Sequence, residues 1–469
     1  MAVDRGAEVG VVGLGVMGLN LARNMARHGF AVIGFDLDAG KRAQFAAGAT
    51  AQTSQEFVAM LQRPRRILVM VPAGPAVDAV IASLKPLLDA GDVLIDGGNT
   101  RYLDTQRRMR ELAGSGILYV GAGVSGGEQG ALLGPSIMPG GDAQAWPLVQ
   151  PLLQAIAARA PDGQPCCAWM GDGASGHFVK MVHNGIEYAE MQLICEAYAL
   201  MQGLAGLSPA AAGEVFAAWN QGPLESYLVA ITADILAHVD PETSRPLVDL
   251  IVDTAEQKGT GKWASQAALD LGVTAPTIAE AVFARTVSAA RVQRQTASKV
   301  LRGPVPKFDG DRAAFIDDIE RGLLAAKVSA YAQGFDLLAA ADKEYGWQLP
   351  FGTIAATWRA GCIIRARLLE DIRGAYGRDA TLGNLMLDPH FTDTMAATQH
   401  SLREVVATAA RNGIAVPAFM SALSYYDAFR AHRLPANLLQ AQRDYFGAHK
   451  YERLDRAGKF HSKWNEGRD

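Results

Sequence analysis

The sequence predicts an α/β domain over residues 1–176, a large all-α domain over residues 177–434 and a short C-terminal tail over residues 435–469. Three observations carry that prediction. Short apolar runs alternate with helical periodicity as far as Gly176, the pattern of a parallel sheet covered by helices on both faces. From His177 to Ala431 the periodicity is helical, with few strand signals. The residues from Pro435 onward are too few for a core of their own, yet they carry large aromatics, so they are expected to dock on a folded surface such as a second subunit.

Composition narrows the function classes. A chain of 469 residues exceeds one ordinary core, so two or three domains are expected. With 49% hydrophobic and 20% charged residues and a formal charge of -4, it reads as a soluble globular protein without a polyanion-binding surface, hence no nucleic-acid partner. No apolar run is long enough to span a bilayer, and Met1–Glu8 lacks an apolar signal region, so no membrane partner and a cytoplasmic location are expected. Cys166, Cys167, Cys195 and Cys362 lack zinc-ligand spacing, and an adjacent pair is poorly placed for an ordinary structural disulfide; reduced, mostly buried thiols are expected. The histidines form no HExxH pattern, and no metal is expected.

Taken in order, the first element is a buried strand over Glu8–Val12. Gly13-Leu14-Gly15-Val16-Met17-Gly18 follows, opening a helix through Leu19, Leu21, Ala22 and Met25. This is GxGxxG between strand and helix, a Rossmann-like fingerprint in which Gly13 allows the tight turn, Gly15 admits a pyrophosphate and Gly18 lets the helix approach the sheet. Phosphates would meet the positive helix end. A second strand, Ala31–Phe35, ends in Asp36, placed to bind both ribose hydroxyls of adenosine. Further strands are expected over Ile67–Val71, Val93–Ile95 and Leu118–Val120. Ligands in such sheets sit beyond the carboxyl ends of strands, which here are occupied by Gly13, by Val71-Pro72-Ala73, by Asn99 and by Ser125. The amides of Val124-Ser125-Gly126-Gly127-Glu128 are candidates for a nest around a substrate carboxylate.

The helical region opens on the stretch with the densest chemistry. Lys180, His183, Asn184, Glu187 and Tyr188 fall at i, i+3, i+4, i+7 and i+8, one polar face of a helix whose other side is Met181, Val182, Ile186 and Ala189. The helix is therefore expected to be largely buried, with this stripe turned into a cleft where Lys180 and Glu187 supply a base and an acid. Val215–Gly222 resembles Ile354–Gly361 at a shift of 139 residues, matching Ala217, Trp219 and Gly222 to Ala356, Trp358 and Gly361, which suggests an internal duplication. Between the copies lies Gln257-Lys258-Gly259-Thr260-Gly261-Lys262-Trp263, which reads as either a flexible anion-binding loop or an ordinary surface turn. Ala281–Arg285 follows it. The tail carries Arg443 and His449 among aromatics.

With these motifs assembled, the chain resembles the 6-phosphogluconate dehydrogenases along nearly its whole length. The resemblance rests on Gly13–Asn20, Ile95–Asn99, Gly123–Glu128, Gly134–Gly141, Lys180–Tyr188, Gln257–Trp263, Ala281–Arg285 and Arg443–His449. It implies oxidative decarboxylation of 6-phosphogluconate to ribulose 5-phosphate, a step of the pentose phosphate pathway, by a homodimer whose tail completes the partner's active site. Lys180 would take the C3 hydroxyl proton and Glu187 would protonate C1 of the product. Asn99, Ser125, Gly126, Gly127, His183 and Asn184 would hold the carboxylate end and its hydroxyls, while Tyr188, Lys258, Arg285, Arg443 and His449 would bind the 6-phosphate. No metal is required, because a β-keto acid loses CO2 with its own carbonyl as electron sink.

The cofactor residues depart from the family pattern. Where common NADP-dependent members have Asn-Arg-Thr, this chain has Asp36-Leu37-Asp38, and Pro72 replaces a common lysine. NAD is therefore expected over NADP, since a carboxylate that accepts ribose hydroxyls repels a 2′-phosphate. Lys41 and Arg42, on the next helix, would compensate only in part. Two other readings are a non-decarboxylating 3-hydroxyacid dehydrogenase on a smaller substrate and a catalytically silent dinucleotide-binding protein.

Overall fold

The structure, a computed structural model, describes residues 6–257 and 259–464. Seven strands form one sheet, β1 (Val9–Val12), β2 (Val32–Phe35), β3 (Ala49–Ala51), β4 (Arg66–Val69), β5 (Val93–Asp96), β6 (Leu118–Ser125) and β7 (Ser136–Gly141), in the order β3-β2-β1-β4-β5-β6-β7. The first six run parallel, and β1, β2 and β5 are fully buried and carry Val, Ile, Leu or Phe at most positions, as a sheet covered on both faces requires. Helices α1 (Val16–Arg27), α2 (Ala39–Ala43), α3 (Ser54–Ala59), α4 (Pro75–Leu84), α5 (Tyr102–Leu112), α6 (Gly127–Leu133) and α7 (Trp146–Ile156) connect and cover it.

Three features correct the expected sheet, the first being the short, partly exposed edge strand β3, whose Ala-Thr-Ala carries no strand signal. β6 does not stop at Val120 but runs on through Gly121–Gly123 to Ser125, and β7 pairs with it antiparallel from Val120↔Gly141 to Ser125↔Ser136. The composition of β7, Ser-Ile-Met-Pro-Gly-Gly, hides a strand; as the terminal strand of the sheet it tolerates Pro139, which has no N–H to give.

The all-helical region begins with α8 (Ser175–Gly203), followed by α9 (Pro209–Trp219), α10 (Tyr227–Ala237), α11 (Thr260–Asp270), α12 (Pro276–Ala289) and α13 (Arg291–Val300). A second series follows: α14 (Arg312–Tyr345), α15 (Phe351–Thr357), α16 (Leu368–Arg378), α17 (Pro389–Arg411) and α18 (Pro417–Arg430). A shift of 139 residues carries α8, α9, α10 and α12 onto α14, α15, α16 and α18, so the repeat read from one short match extends over most of the region. The copies interlock. Glu196 of α8 accepts the Ala418 and Phe419 amides at the start of α18 (2.9 and 3.0 Å), and Gln333 of α14 accepts the Thr277 amide at the start of α12 (2.9 Å). The loops ahead of α10 and α16 pair through an antiparallel bridge between Ser226 and Ala366. Each contact satisfies helix-end or loop groups that would otherwise lack a partner.

By compactness the chain divides into residues 1–422, which hold the sheet and most of the helices, and residues 423–469, a boundary ahead of the one expected at Pro435. The second unit contains α19 (Ala436–Gly447) and a small hairpin, β8 (Tyr451–Glu452) with β9 (Lys459–Phe460). Its centre is the buried Asp444. That carboxylate accepts from the Lys450 and Ser462 amides (2.9 and 3.0 Å), His461 Nδ1 (2.9 Å) and Trp464 Nε1 (2.8 Å). Among the described residues, Cys166, Cys167 and Cys362 are buried free thiols and Cys195 is exposed, and no helix is long and apolar enough to cross a membrane.

Candidate active site

The glycine turn sits between β1 and α1. Gly13 has φ 93°, a left-handed conformation, and a Cβ there would lie 2.5 Å from Met70 O. A Cβ on Gly18 would lie 1.9 Å from Gly13 O, so only glycine lets α1 rise this close to the turn, whereas around Gly15 there is open space. No side chain caps α1, whose first amides, at Val16, Met17 and Gly18, open onto that space. An uncapped helix end beside an open glycine is the cradle that a dinucleotide pyrophosphate needs. Val71, Pro72 and Ala73 follow β4 beside the turn, with Pro72 and Ala73 exposed.

At the end of β2, Asp36 is fixed by its neighbours. Its Oδ2 accepts from the Leu14 amide (2.8 Å) and its Oδ1 from the Asp38 amide (2.9 Å). Leu37 is 90% exposed and offers no charge. Asp38, the last residue of the departure from the family pattern, caps α2, accepting from the Gly40 and Lys41 amides. Lys41 Nζ lies 3.9 Å from Asp36, and Arg42 is spent on the Asp36 and Leu37 carbonyls (2.7 and 3.1 Å).

α8 starts where β6 and β7 leave room for it. A Cβ on Gly176 would lie 2.1 Å from Gly121 O, and one on Gly123 would lie 2.2 Å from Lys180 Cβ. Backbone-to-backbone approach therefore sets Lys180 against the carboxyl-terminal half of β6, close to Ser125. His177, one turn earlier, anchors the same end through Thr105 Oγ1 (2.7 Å) and the Asp96 carbonyl (3.1 Å). Asp96 in turn takes the Thr100 hydroxyl (2.8 Å), the Gly98 amide (3.1 Å), Tyr119 Oη (3.0 Å) and Arg108 (3.2 Å), which fixes the turn presenting the exposed Asn99.

The stripe on α8 is assembled around His183. Its Nδ1 lies 3.3 Å from Lys180 Nζ, 3.1 Å from Asn184 Oδ1 and 3.6 Å from Glu187 Oε2, and its Nε2 lies 3.3 Å from Ser125 Oγ. Trp358, the tryptophan of the second repeat copy, closes edge-on over the imidazole at 5.6 Å. Burial lowers the Lys180 amine below its usual range, with Glu187 opposing. Burial, reinforced by Lys180, drives the His183 imidazole well below its range, so it is neutral. Burial raises the Glu187 carboxyl above its range, against Lys180 and Arg285 and with Glu190 reinforcing. Burial thus shifts an amine and a carboxyl toward their neutral forms on either side of a neutral imidazole, the pairing that acid–base chemistry calls for.

The remaining predicted residues are placed as follows. Gly126 (φ 126°) and Gly127 (φ 64°) turn the chain from β6 into α6. Tyr188 lies under the Arg285 guanidinium, 3.5 Å from its ring centroid, and Arg285 also donates to Glu256 O (3.0 Å). Lys258 lies outside the described residues. The loop read over Gln257–Trp263 is shorter than expected, because α11 begins at Thr260, whose hydroxyl accepts from Asn184 Nδ2 (3.0 Å). Arg443 and His449 are both exposed in the 423–469 unit, Arg443 donating to Gln440 Oε1 (3.0 Å).

Sequence reasoning missed His177, Thr260 and the Ile363 amide, which donates to Ser125 Oγ (3.4 Å). His177 was findable, since it lies at i−3 from Lys180 on the same stripe. Thr260 stood inside a motif already singled out. Ile363 comes from the second repeat copy and carried no local signal.

Fold and site together define a class, an oxidoreductase of the dinucleotide-binding type with a lysine-bearing helix set against the sheet. The family model for the NAD binding domain of 6-phosphogluconate dehydrogenase matches residues 8–171, and that for the 6-phosphogluconate dehydrogenase C-terminal domain matches residues 176–464. The chain belongs to the 6-phosphogluconate dehydrogenase family. It is 52% identical over 465 residues, 98% of each chain, to the decarboxylating 6-phosphogluconate dehydrogenase of Lactococcus lactis subsp. lactis. It is also 52% identical to a Bacillus subtilis protein named as the NADP(+)-dependent, decarboxylating enzyme, over 97% of this chain and 99% of that one. The Plasmodium falciparum 6-phosphogluconate dehydrogenase, solved in apo form, with its cofactor NADP+ and with its substrate 6-phosphogluconate, superposes with a TM-score of 0.93 at 39% identity, covering 97% of this chain and 100% of that one.

Proposed function

We propose that this chain oxidatively decarboxylates 6-phosphogluconate to ribulose 5-phosphate and CO2, as a homodimer with shared sites, through steps carried by protein groups without a metal. The observation that carries the reading is the Lys180–His183–Glu187 group, in which burial moves the amine and the carboxyl toward their neutral forms. The bound nicotinamide supplies the hydride acceptor at C3. Lys180 takes the C3 hydroxyl proton; the O–H electron pair becomes the carbonyl as the C–H pair departs. The C1–C2 bond of the 3-keto acid then breaks, its electrons forming an enediol as CO2 leaves, while protonated Lys180 gives its proton to the developing oxyanion. Glu187 finally protonates the carbon that becomes C1 of the product, and the enediol hydroxyl returns its proton to Lys180. Asn99, Ser125, Gly126, Gly127, His183 and Asn184 orient the carboxylate and hydroxyls. Tyr188, Lys258 and Arg285 bind the phosphate, joined by Arg443 and His449 of a second copy. The exposed Leu438, Phe446 and Leu454 of the tail unit support its docking on a partner. A cytoplasmic location in the pentose phosphate pathway follows from this activity.

For the cofactor we infer NAD over NADP. Asp36 is fixed at the end of β2, and Leu37 puts no cation beside it. A like-charge penalty of about 1.4 kcal/mol already amounts to tenfold discrimination. The competing reading, NADP held by Lys41, draws on the relative named NADP(+)-dependent. Steady-state assays with 6-phosphogluconate and each cofactor, scoring CO2 and ribulose 5-phosphate, test both points. At least roughly tenfold higher kcat/KM with NAD is expected, and equal or better efficiency with NADP refutes the preference. Oxidation without CO2 refutes decarboxylation. Asp36→Asn with Leu37→Arg and Asp38→Thr should shift the preference toward NADP while leaving CO2 release intact, with Thr able to keep the α2 cap.

A further inference from the structure

A second carboxylate lies one turn beyond Glu187. Glu190 is 1% exposed, and Lys327 of α14, itself 1% exposed, brings its Nζ to 2.9 Å from Glu190 Oε1. Residues three apart on a helix have Cβ atoms roughly 5–6 Å apart, so Glu187 and Glu190 are neighbours on α8. A buried ion pair is a weak stabiliser, because desolvation of both charges offsets their attraction. Its placement behind the candidate acid suggests another purpose.

We propose that Glu190, paired with Lys327, is a positioning residue for Glu187, setting a second carboxylate one turn behind the acid that delivers its proton to the enediol. This rests on the role proposed above for Glu187. In the step served, the Glu187 O–H bond breaks, a C–H bond forms at product C1 from the enediol π pair, and the enediol hydroxyl passes its proton to Lys180.

The surrounding charges are consistent with that division of labour. Lys180 on the same helix and Arg285 from α12 draw Glu187 toward ionisation, whereas burial and Glu190 oppose them. His183 is neutral. Lys327 reaches Glu190 from α14, and of the two it is Glu190 that is among the charges acting on Glu187. Tyr331, also on α14, has its phenol pushed well above the usual range by burial and by Glu190, and stays neutral.

The test compares the full-length enzyme with Glu190→Gln/Lys327→Met, which removes both buried charges together, and with Glu190→Asp, which keeps the carboxylate. Two quantities are read against pH: deuterium uptake at C1 of ribulose 5-phosphate with reduced cofactor present, and overall kcat. Removing Glu190 takes away a group that opposes ionisation of Glu187, so the basic limb should move to lower pH, with kcat lost above it. KM for 6-phosphogluconate should change less than kcat, and Glu190→Asp should leave the limb in place. A folded double variant with an unmoved limb overturns the proposal. If the double variant fails to fold, Glu190→Gln alone is set against Glu190→Asp, and identical limbs overturn it equally. A Glu187→Gln enzyme that exchanges C1 as fast as the parent would refute the role of Glu187 itself, a separate failure.

Discussion

At the scale of single residues, the proposed chemistry turns on two groups displaced from their ordinary ionisation by burial. As the proposed base, Lys180 must be neutral, so activity should rise as pH passes upward through its lowered pKa. As the proposed acid, Glu187 must be protonated, so activity should fall as pH passes upward through its raised pKa. The product is a bell-shaped profile. Lys180→Met should lower turnover by about 10² to 10⁴ with substrate binding still measurable, and should abolish the acidic limb. Glu187→Gln should abolish the basic limb and release CO2 from the 3-keto intermediate faster than it forms finished product. Turnover of Lys180→Met within a few-fold of the parent would remove Lys180 from the role. The stripe was legible before the fold was known, because helical spacing alone puts Lys180, His183 and Glu187 on one face. That His183 sits between the other two was not legible, since it depends on Ser125 and Trp358 confining the ring from β6 and from the second repeat copy.

At the scale of elements, the seating of α8 on the sheet decides whether those groups meet. Gly123→Ala would put a methyl 2.2 Å from Lys180 Cβ, and overpacking of this kind costs roughly 1–3 kcal/mol while pushing the amine off its position. The variant should therefore melt several degrees lower and lose activity beyond its loss of stability, measured by thermal unfolding and by kcat at a temperature where it is folded. In the tail, Asp444→Asn should loosen the β8–β9 hairpin, because an amide cannot accept all four hydrogen bonds that the carboxylate takes. Amide exchange across residues 450–464 should rise while exchange in α8 stays unchanged. Despite burial, those donors hold the Asp444 carboxyl below the usual range. Its stabilisation is therefore complete above the unfolded value of about 3.9 and is lost as pH falls through the lower folded value. Of the elements, those with strong period were legible. β7 and the tail hairpin were not, since Pro139 and the Gly-rich ends of β7 contradict strand propensity and only an edge position permits them.

At the scale of the whole molecule, the proposed homodimer makes a prediction that no monomeric site can meet. Mixing Arg443→Ala protomers with Lys180→Met protomers should restore part of the activity, because in a heterodimer one shared site keeps both wild-type contributions. Full inactivity after subunit exchange, verified by native mass spectrometry, would confine the tail to its own subunit. The sequence showed the duplication only in the short match of Ala217, Trp219 and Gly222 to Ala356, Trp358 and Gly361. Elsewhere the copies differ in sequence and correspond in helix order and reciprocal caps.

That divergence is lopsided. At the positions that the 139-residue shift assigns to Lys180, His183 and Glu187, the second copy carries Ile319, Gly322 and Ala326, all buried against neighbouring helices. A Cβ on Gly322 would come within 3.3 Å of Leu402 Cα. One copy of the repeat carries titratable groups at these positions, whereas the other carries only apolar or small residues. Selection should therefore read the two helices in different currencies. Saturation mutagenesis scored for growth should find Lys180, His183 and Glu187 sensitive to changes of chemistry at constant volume, and Ile319, Gly322 and Ala326 sensitive to changes of volume at constant polarity.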